Sequence, residues 1–568
     1  MPLAPARGRF PLKDLVWNRG GARFARRVGA FVKPAQRSVD VIEHSLCRGE
    51  DLPVLLGGRR LRRRRLRLLR SRIRARIRFH AEDSSPEVLY CGSVAQTASP
   101  RNDPSPQVST PERVGTDNAA PGSTSGPLLT CIGAGTVVPC LDGEARPYRD
   151  LDCAASTPAS AAVARRVDEL LERYSSVHRG TGFKSRATTA SYEAARHRIL
   201  EHCGRSESVD IAIMCRNATE ALNHLAYQLH LERDDVVVTT VIEHHANLLP
   251  WGRYARRRYV ECTSDGTFEL EDVCVKLDKP PRPKLLAITG ASNVTGWLPP
   301  LDAICDAAHE RGVPVVVDAA QLAPHRPISS QADFVVWSGH KMYAPFGGGA
   351  LVGPRGVFAR GEPFLAGGGA VDLVSPDDVV WTAPPDREEA GTPNVVGAVA
   401  IGAALDELEC IGWEVVRDHD KRLRDALLKG LGSVSGVHTL GCDVPGSLPV
   451  VPFTVDGMHH ALVAARLAVE HGIGVRHGCF CAHPYVVRLL QLGCELTASQ
   501  RTAVMNEDRT SMPGAVRVSC GLSTTDDDVA ALVHALEEII STPPPVPYHQ
   551  HRATGDYTPV TDASGWWS

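Results

Sequence analysis

The stretch DFVVWSGHKMYAPFGGGALVG (333–353) begins as a buried strand and then breaks into Ser338, Gly339, His340 and Lys341, with three glycines following at 347–349. An amine at the end of an apolar strand has two readings. A lysine can end a strand because its stem snorkels its charge to water. It can also be held at the strand end as the partner of an aldehyde. The residues at the ends of the other strands decide between the two.

VDIAIM (209–214) leads into CRNATEALNHLAYQLHL, where Asn217 can cap a helix carrying Ala221, Leu222, Leu225, Ala226 and Leu229 on one face. A helix that starts directly off a strand offers free N–H groups and the positive end of its dipole to an anion. DVVVTTVIEHHANLLPW (235–251) ends its strand in His244 and His245, KLLAITGASNVTG in Ser292 and Asn293, and VPVVVDAAQ in Asp318 and Gln321. Between about 147 and 542, short β-branched runs alternate with helical patterns. That alternation predicts an α/β domain with a largely parallel sheet, and in such a sheet ligands bind off the carboxyl ends of the strands. Each residue alone has a bland reading: Asp318 as a turn residue, a histidine as a structural one. Together they offer a lysine for an aldehyde, a carboxylate for a pyridine nitrogen, an amide for a phenolic oxygen, a flat ring and an anion nest. That is the set of partners pyridoxal 5'-phosphate requires.

Nine segments in order carry a family resemblance: LDCAAS (151–156), VHRGTGFKS (177–185), CRNATEALN (215–223), EHHANLLPW (243–251), SNVTG (292–296), VDAAQ (317–321), SGHKMYAP (338–345), EAGTPN (389–394) and RHGCFCAHP (476–484). On these, roughly residues 148 to 540 resemble the class V aminotransferase-like enzymes of fold type I, and within them the group II cysteine desulfurases of the SufS kind. The resemblance implies a large domain with a mostly parallel seven-stranded sheet and a smaller C-terminal α+β domain. It implies that Lys341 carries the cofactor aldehyde, Asp318 pairs with the ring nitrogen and His244 stacks on the ring. By the same resemblance Gln321 and Asn293 stand near the phenolic oxygen and the substrate. Asn217, Ala218, Thr219, Ser338 and His340 hold the phosphate, and Thr392 reaches the phosphate of a partner subunit, which implies a homodimer with shared active sites. One position departs from the family: Ala218 stands where a first threonine is common, so one hydroxyl contact is lost while the backbone contacts remain.

The same resemblance makes Cys481 the nucleophile and Arg517 the clamp on the substrate carboxylate, with Arg476 beside it. A guanidinium fork is the natural partner of a carboxylate. The implied reaction turns L-cysteine, or a related amino acid, into L-alanine, with the sulfur passed through a persulfide on Cys481 to an acceptor protein. A free thiol has a pKa of ~8.5, so His477, His483 or the cofactor region would assist its ionisation. The alternative is another class V enzyme, an aminotransferase, epimerase or C–S lyase, in which Cys481 is not the nucleophile. The tripeptide Cys-Phe-Cys is also similar to one in molybdenum cofactor sulfurases. A further reading of this loop stays open: if it were extended, His477, Cys479, Cys481 and His483 would share one side and suit zinc, although the usual C-x2-C spacing is absent. No metal is expected.

The remainder of the chain is compositionally different. It has 568 residues, 43% of them hydrophobic, and a net charge of -2, so no global field points to nucleic acid or a membrane. Locally, RRLRRRRLRLLRSRIRARIRF (59–79) is dense in arginine, which reads either as an RNA-binding or membrane-surface arm or as a poorly ordered extension. Residues 92–128 are rich in Ser, Thr, Pro and Gly and cannot bury enough apolar surface to order themselves. The expected organisation is a disordered leader over 1–140, a cofactor-binding large domain over 141–404 whose first segment packs on the small domain, a small domain carrying the cysteine loop over 405–542, and a disordered tail over 543–568. No stretch approaches the ~20 apolar residues of a membrane span. The 16 cysteines are scattered, which suits a reducing compartment, so a cytoplasmic enzyme without nucleic acid or membrane partners is expected.

Overall fold

The structure is a computed structural model that describes residues 126–328, 331–441 and 444–560. The arginine-dense run and all but the end of the Ser/Thr/Pro-rich stretch lie outside the described residues.

The large lobe is built on seven strands: β1 (Asp210–Cys215), β2 (Val236–Thr240), β3 (Arg256–Val260), β4 (Leu285–Thr289), β5 (Val315–Asp318), β6 (Phe334–Ser338) and β7 (Gly349–Pro354). Their order across the sheet is β1-β7-β6-β5-β4-β2-β3. Only β7 runs against its neighbours β1 and β6; β2 through β6 pair in parallel. The runs VVVTT, LLAIT, VVVD and FVVWS are buried at every residue, as expected of parallel strands covered by helices on both faces. α1 (Ala161–Arg173), α2 (Phe183–His202), α3 (Ala218–Gln228) and α4 (Val395–Ile411) supply much of that cover.

The triple glycine is a packing device. A Cβ on Gly349 would lie 2.6 Å from Cα of Asn217, and one on Gly348 would lie 2.8 Å from the carbonyl oxygen of Gly397. Only glycine lets the beginnings of α3 and α4 come so close to the sheet.

The small lobe has an antiparallel sheet of β8 (Val437–Thr439), β9 (Val450–Val455), β10 (Arg476–Gly478) and β11 (Ala515–Ser519) in the order β8-β9-β11-β10. Against it pack α5 (Trp413–Ser433), α6 (His460–His471) and α7 (Asp526–Ser541). Leu423, Leu427 and Leu431 recur every four residues along α5 and face Val451, Phe453, Val516 and Val518 of the sheet. Thr525 and Asp528 bond each other's backbone N–H groups in a reciprocal cap at the start of α7. Arg149 and Asp150 pair in parallel with Ile473 and Gly474, and Leu151 joins the small-lobe core, so the chain before the large sheet does pack on the small lobe.

Three expected boundaries move. The folded body starts before residue 140: Leu129 and Cys131 are buried, and Leu128 donates its backbone N–H to Leu522 at 2.8 Å. The boundary at 404 falls inside α4, whose Ala404, Leu405 and Leu408 belong to the large-lobe core; the break comes at Gly412, with φ of 90°. The expected disordered tail over 543–568 instead carries a hairpin. Tyr548–Gln550 pairs with Tyr557–Pro559, and the Tyr548 hydroxyl donates to Glu470 at 2.7 Å. Low apolar content misled in the tail, because a short hairpin can be held by a few specific contacts to a core it does not itself build. Among the described residues no helix is long and apolar enough to cross a membrane.

Candidate active site

The strand ends and the cysteine loop meet at a cavity of about 320 Å³. Asn217, Ala218 and Thr219 line it from the cap and start of α3, His244, Asn293 and Gln321 from the segments that follow β2, β4 and β5, and Asp318 from the end of β5 itself. Ser338, His340 and Lys341 enter from β6 and the 3-10 turn after it. Arg476, Cys481 and Arg517 enter from the small lobe.

Lys341 is deep enough in the cavity that burial lowers its pKa to about 8, against the opposing pull of Asp318. Asp318 ends β5, is buried, and accepts the backbone N–H of Ala320 at 3.0 Å; burial raises its pKa. His244 accepts the N–H of Ala246 on Nδ1 at 3.1 Å, which puts the ring proton on Nε2. Burial, then the Lys341 charge, depress the His244 pKa to about 3, so this ring is uncharged at working pH. Directly before it, Glu243 is fully buried and was not anticipated. It accepts from the Thr240 hydroxyl at 2.7 Å, the Asn247 amide at 2.7 Å and the Thr289 N–H at 3.0 Å. Burial pushes its pKa up to about 8, and its bonds tie the end of β2 to the end of β4.

These residues fit pyridoxal phosphate. The Gln321 side-chain oxygen is buried without a partner, leaving the amide with bonding capacity beside Asp318. Asn217 caps α3 by accepting the Glu220 N–H at 2.9 Å, and the Ser338 hydroxyl accepts the Ala218 N–H at 2.8 Å, so its own hydrogen is free to point at an anion at the helix start.

The cysteine loop is not extended. Ala482 donates its N–H to the carbonyl of Cys479 at 2.8 Å, closing a turn in which Phe480 and Cys481 have φ of 53° and 54°. Two consecutive non-glycine residues in the left-handed region are strained, and the turn is held from several sides. Asn293 donates its amide to the Phe480 carbonyl at 2.8 Å, His245 donates its N–H to the Cys481 carbonyl at 2.7 Å, and the His483 N–H reaches Nε2 of His245 at 3.2 Å. The guanidinium of Arg517 lies over the Phe480 ring, 5.1 Å from its centre. The turn leaves Cys481 exposed at the cavity and sends Cys479 elsewhere: its thiol donates to the Pro513 carbonyl at 3.2 Å, and burial pushes its pKa up to about 11. His477 faces Asp556 at 3.3 Å and stacks on His460. The extended conformation on which the zinc alternative depended is therefore not the one this loop adopts.

Arg517 lies on β11, an inner strand, and is 2% exposed. It donates to the Asn293 carbonyl at 2.9 Å and to Asp152 at 2.8 Å. Arg476 sits directly across the β10–β11 pair and reaches the other oxygen of Asp152 at 2.9 Å. Asp152 is in the quoted segment LDCAAS, but nothing local to it marks it as a partner of residues at 476 and 517. Thr392 is exposed in the bend before α4 and does not line this chain's cavity.

Comparison with known proteins agrees with this arrangement. The family model described as Aminotransferase class-V matches residues 150–532. A probable cysteine desulfurase of Halalkalibacterium halodurans is 34% identical over 414 residues, covering 70% of this chain and 95% of the relative. A cysteine desulfurase of Cronobacter sakazakii is 33% identical over 409 residues, covering 69% and 94%. Among solved structures, the apo cysteine desulfurase of Thermococcus onnurineus superposes with a TM-score of 0.61 at 30% identity, covering 69% of this chain and 95% of that one. The cysteine desulfurase CsdA of Escherichia coli, in an S-sulfonic acid form, gives 0.59 at 29% identity over the same shares. With the matched segment spanning both lobes and the strand ends that line the cavity, the chain belongs to the class V aminotransferase family of enzymes.

Proposed function

We propose that this enzyme is a pyridoxal phosphate-dependent cysteine desulfurase that converts L-cysteine to L-alanine and takes the sulfur as a persulfide on Cys481. The observation that carries the reading is that an exposed cysteine thiol borders the same cavity as a half-buried lysine, a buried carboxylate and a buried arginine. The names of the relatives support it.

The cofactor, when bound, supplies the electron sink that lets an α-amino acid lose its α proton and then its β substituent. Arg517 holds the substrate carboxylate. With a pKa of about 8, Lys341 has a substantial neutral fraction near neutrality, and it takes the α proton and later returns a proton to carbon. Asp318 would supply negative charge to the ring nitrogen of the bound cofactor, and the uncharged ring of His244 would cover its face without adding a competing cation. The Cys481 thiolate attacks the substrate sulfur. The new S–S bond forms as the C–S bond breaks, its electron pair passes to the carbon fragment, and protonation there yields alanine. Clamping of the 479–482 turn serves this step, since attack requires an approach of ~3 to 3.5 Å.

In this reading the enzyme is a homodimer in which Thr392 reaches the partner's phosphate site, and the persulfide passes to an acceptor protein. The cysteines whose side chains are described are free, which supports a reducing, cytoplasmic setting. Incubating the protein with L-cysteine should give alanine together with protein-bound persulfide on Cys481. Cofactor-loaded protein that yields neither would overturn the reading.

A further inference from the structure

The C-terminal hairpin, Tyr548–Gln550 paired with Tyr557–Pro559, lies beyond the matched segment 150–532 and has no part in the chemistry derived above. It is tied to the small lobe where that lobe carries the cysteine turn. Arg509 donates its backbone N–H to the Arg552 carbonyl at 2.9 Å and its guanidinium to the Ala553 carbonyl at 2.7 Å. The Gln550 amide donates to the Thr510 carbonyl at 3.0 Å and to the Gly555 carbonyl at 3.1 Å, so one side chain joins both halves of the hairpin to the 508–514 segment. Gly555, with φ of 83°, lies so close that a Cβ on it would stand 2.7 Å from the Arg509 carbonyl oxygen. Asp556 faces His477 of β10 at 3.3 Å.

From there the contacts run into the turn. The 508–514 segment has no regular structure of its own and ends against the stem of the cysteine loop. Its Pro513 carbonyl accepts the Cys479 thiol at 3.2 Å, and a Cβ on Gly514 would lie 2.6 Å from Cα of Gly478. The left-handed pair Phe480 and Cys481 holds its strain only while both sides of the turn are fixed. Asn293 and His245 fix it from the large lobe. From the small lobe it is fixed by Arg517 over the Phe480 ring and by the Cys479–Pro513 bond, and the second of these depends on where the 508–514 segment is held.

We propose that the C-terminal hairpin is a brace for the cysteine turn: by fixing Arg509 and Thr510 it keeps the Pro513 carbonyl on Cys479 and so sets the position from which the Cys481 sulfur attacks. Gln550 and Gly555 are positioning residues for sulfur capture. The inference rests on Cys481 being the nucleophile of the proposed function.

The test uses the full-length, cofactor-loaded protein. Gly555→Val drives a side chain against the Arg509 carbonyl, whereas Gln550→Leu, a milder change, removes only the two amide bonds. Gly143→Val is the control, a valine at another glycine of positive φ, 85°, where a Cβ meets nothing within 4 Å. Two rates are read: iodoacetamide labelling of Cys479, followed by peptide mass spectrometry, and single-turnover persulfide formation on Cys481 at saturating L-cysteine. Both hairpin variants should label Cys479 about fivefold faster, the equivalent of one lost hydrogen bond. Both should form persulfide about tenfold more slowly, because a displaced nucleophile loses its near-attack geometry. The borohydride-stable adduct at Lys341 and the half-saturating L-cysteine concentration should stay at wild-type values, as should both rates in the control. A wild-type persulfide rate in either hairpin variant would overturn the proposal. So would a slower rate accompanied by equal losses of adduct and of substrate affinity, which a general loosening of the fold would give. If Gly555→Val does not fold, Gln550→Leu decides alone. If wild type itself forms no persulfide, the desulfurase reading fails, and Cys479 labelling then decides the brace by itself: wild-type labelling in the hairpin variants would overturn it.

Discussion

His245 donates its backbone N–H to the carbonyl oxygen of Cys481 at 2.7 Å. The residue after the candidate ring-stacking histidine thereby holds the backbone of the candidate nucleophile and ties the cysteine loop to the segment after β2. The His245 ring adds a second tie by accepting the His483 N–H at 3.2 Å. Replacing His245 with alanine removes the ring contact and keeps the backbone one. Persulfide formation should slow by about fivefold, matching the loss of one hydrogen bond of ~1 kcal/mol, while the covalent cofactor adduct at Lys341 stays stoichiometric. Single-turnover persulfide kinetics and borohydride trapping measure the two separately.

Lys341→Ala should abolish the borohydride-stable cofactor adduct. Lys341→Met should do the same and also stabilise the cofactor-free protein. The folded pKa is depressed to about 8 from 10.5. Below pH 8 the amine is charged in both states, and its removal from water costs the folded state about 3 kcal/mol. Between pH 8 and 10.5 the unfolded chain binds more proton, so this cost is relieved as pH rises. Denaturation of the two apo proteins at pH 7 and pH 10 should show a gain for Lys341→Met that shrinks at the higher pH.

The two cysteines of the turn should separate cleanly. Cys481→Ser should bind cofactor and substrate yet form no persulfide and no stoichiometric alanine, whereas Cys479→Ser should still carry persulfide on Cys481. In the wild type at pH 8, iodoacetamide should label exposed Cys481 well before Cys479, whose pKa burial pushes up to about 11. Peptide mass spectrometry that places the persulfide on Cys479 would refute the assignment.

Gly349→Ala puts a methyl group 2.6 Å from Cα of Asn217, where the obstacle is backbone that cannot rotate away. The start of α3 must shift. Stability should fall by about 2 kcal/mol or more, and affinity for pyridoxal phosphate should fall further than affinity for pyridoxal, which lacks the anion that the helix start would hold. Comparison of the two affinities by absorbance titration checks this.

A chain beginning at residue 126 should retain the stability that a chain beginning at 141 loses. The segment between them buries Leu129 and Cys131 and makes the Leu128–Leu522 bond, so its removal should cost about 2 to 4 kcal/mol. Urea midpoints of the two chains decide it; equal midpoints would show that the segment contributes nothing.

Much of the candidate site was legible because its information is local. A strand announces itself by a β-branched run, its carboxyl end by the first polar residues, and a parallel sheet brings those ends to one edge. His244, Asn293, Asp318 and Lys341 could be gathered from the chain for that reason, and the seven-stranded α/β lobe with them. What depended on tertiary structure is what depends on approach between distant residues. Asp152 meets Arg517 across 365 positions, and no periodicity records such a pairing. Glu243 reads as one more polar residue after a strand until burial and three donors single it out. The left-handed turn at Phe480 and Cys481 contradicts local preference, which is why an extended loop, and with it a zinc set, stays open in the sequence as a lesser reading. Such a turn exists only because Asn293, His245 and Arg517, delivered by other elements, hold it against its strain. Local sequence thus determined which groups stand at the sheet edge. The packing of the small lobe against that edge decided which cysteine faces the cavity and which carboxylate shares its arginines, because both outcomes rest on contacts whose partners lie far apart in the chain.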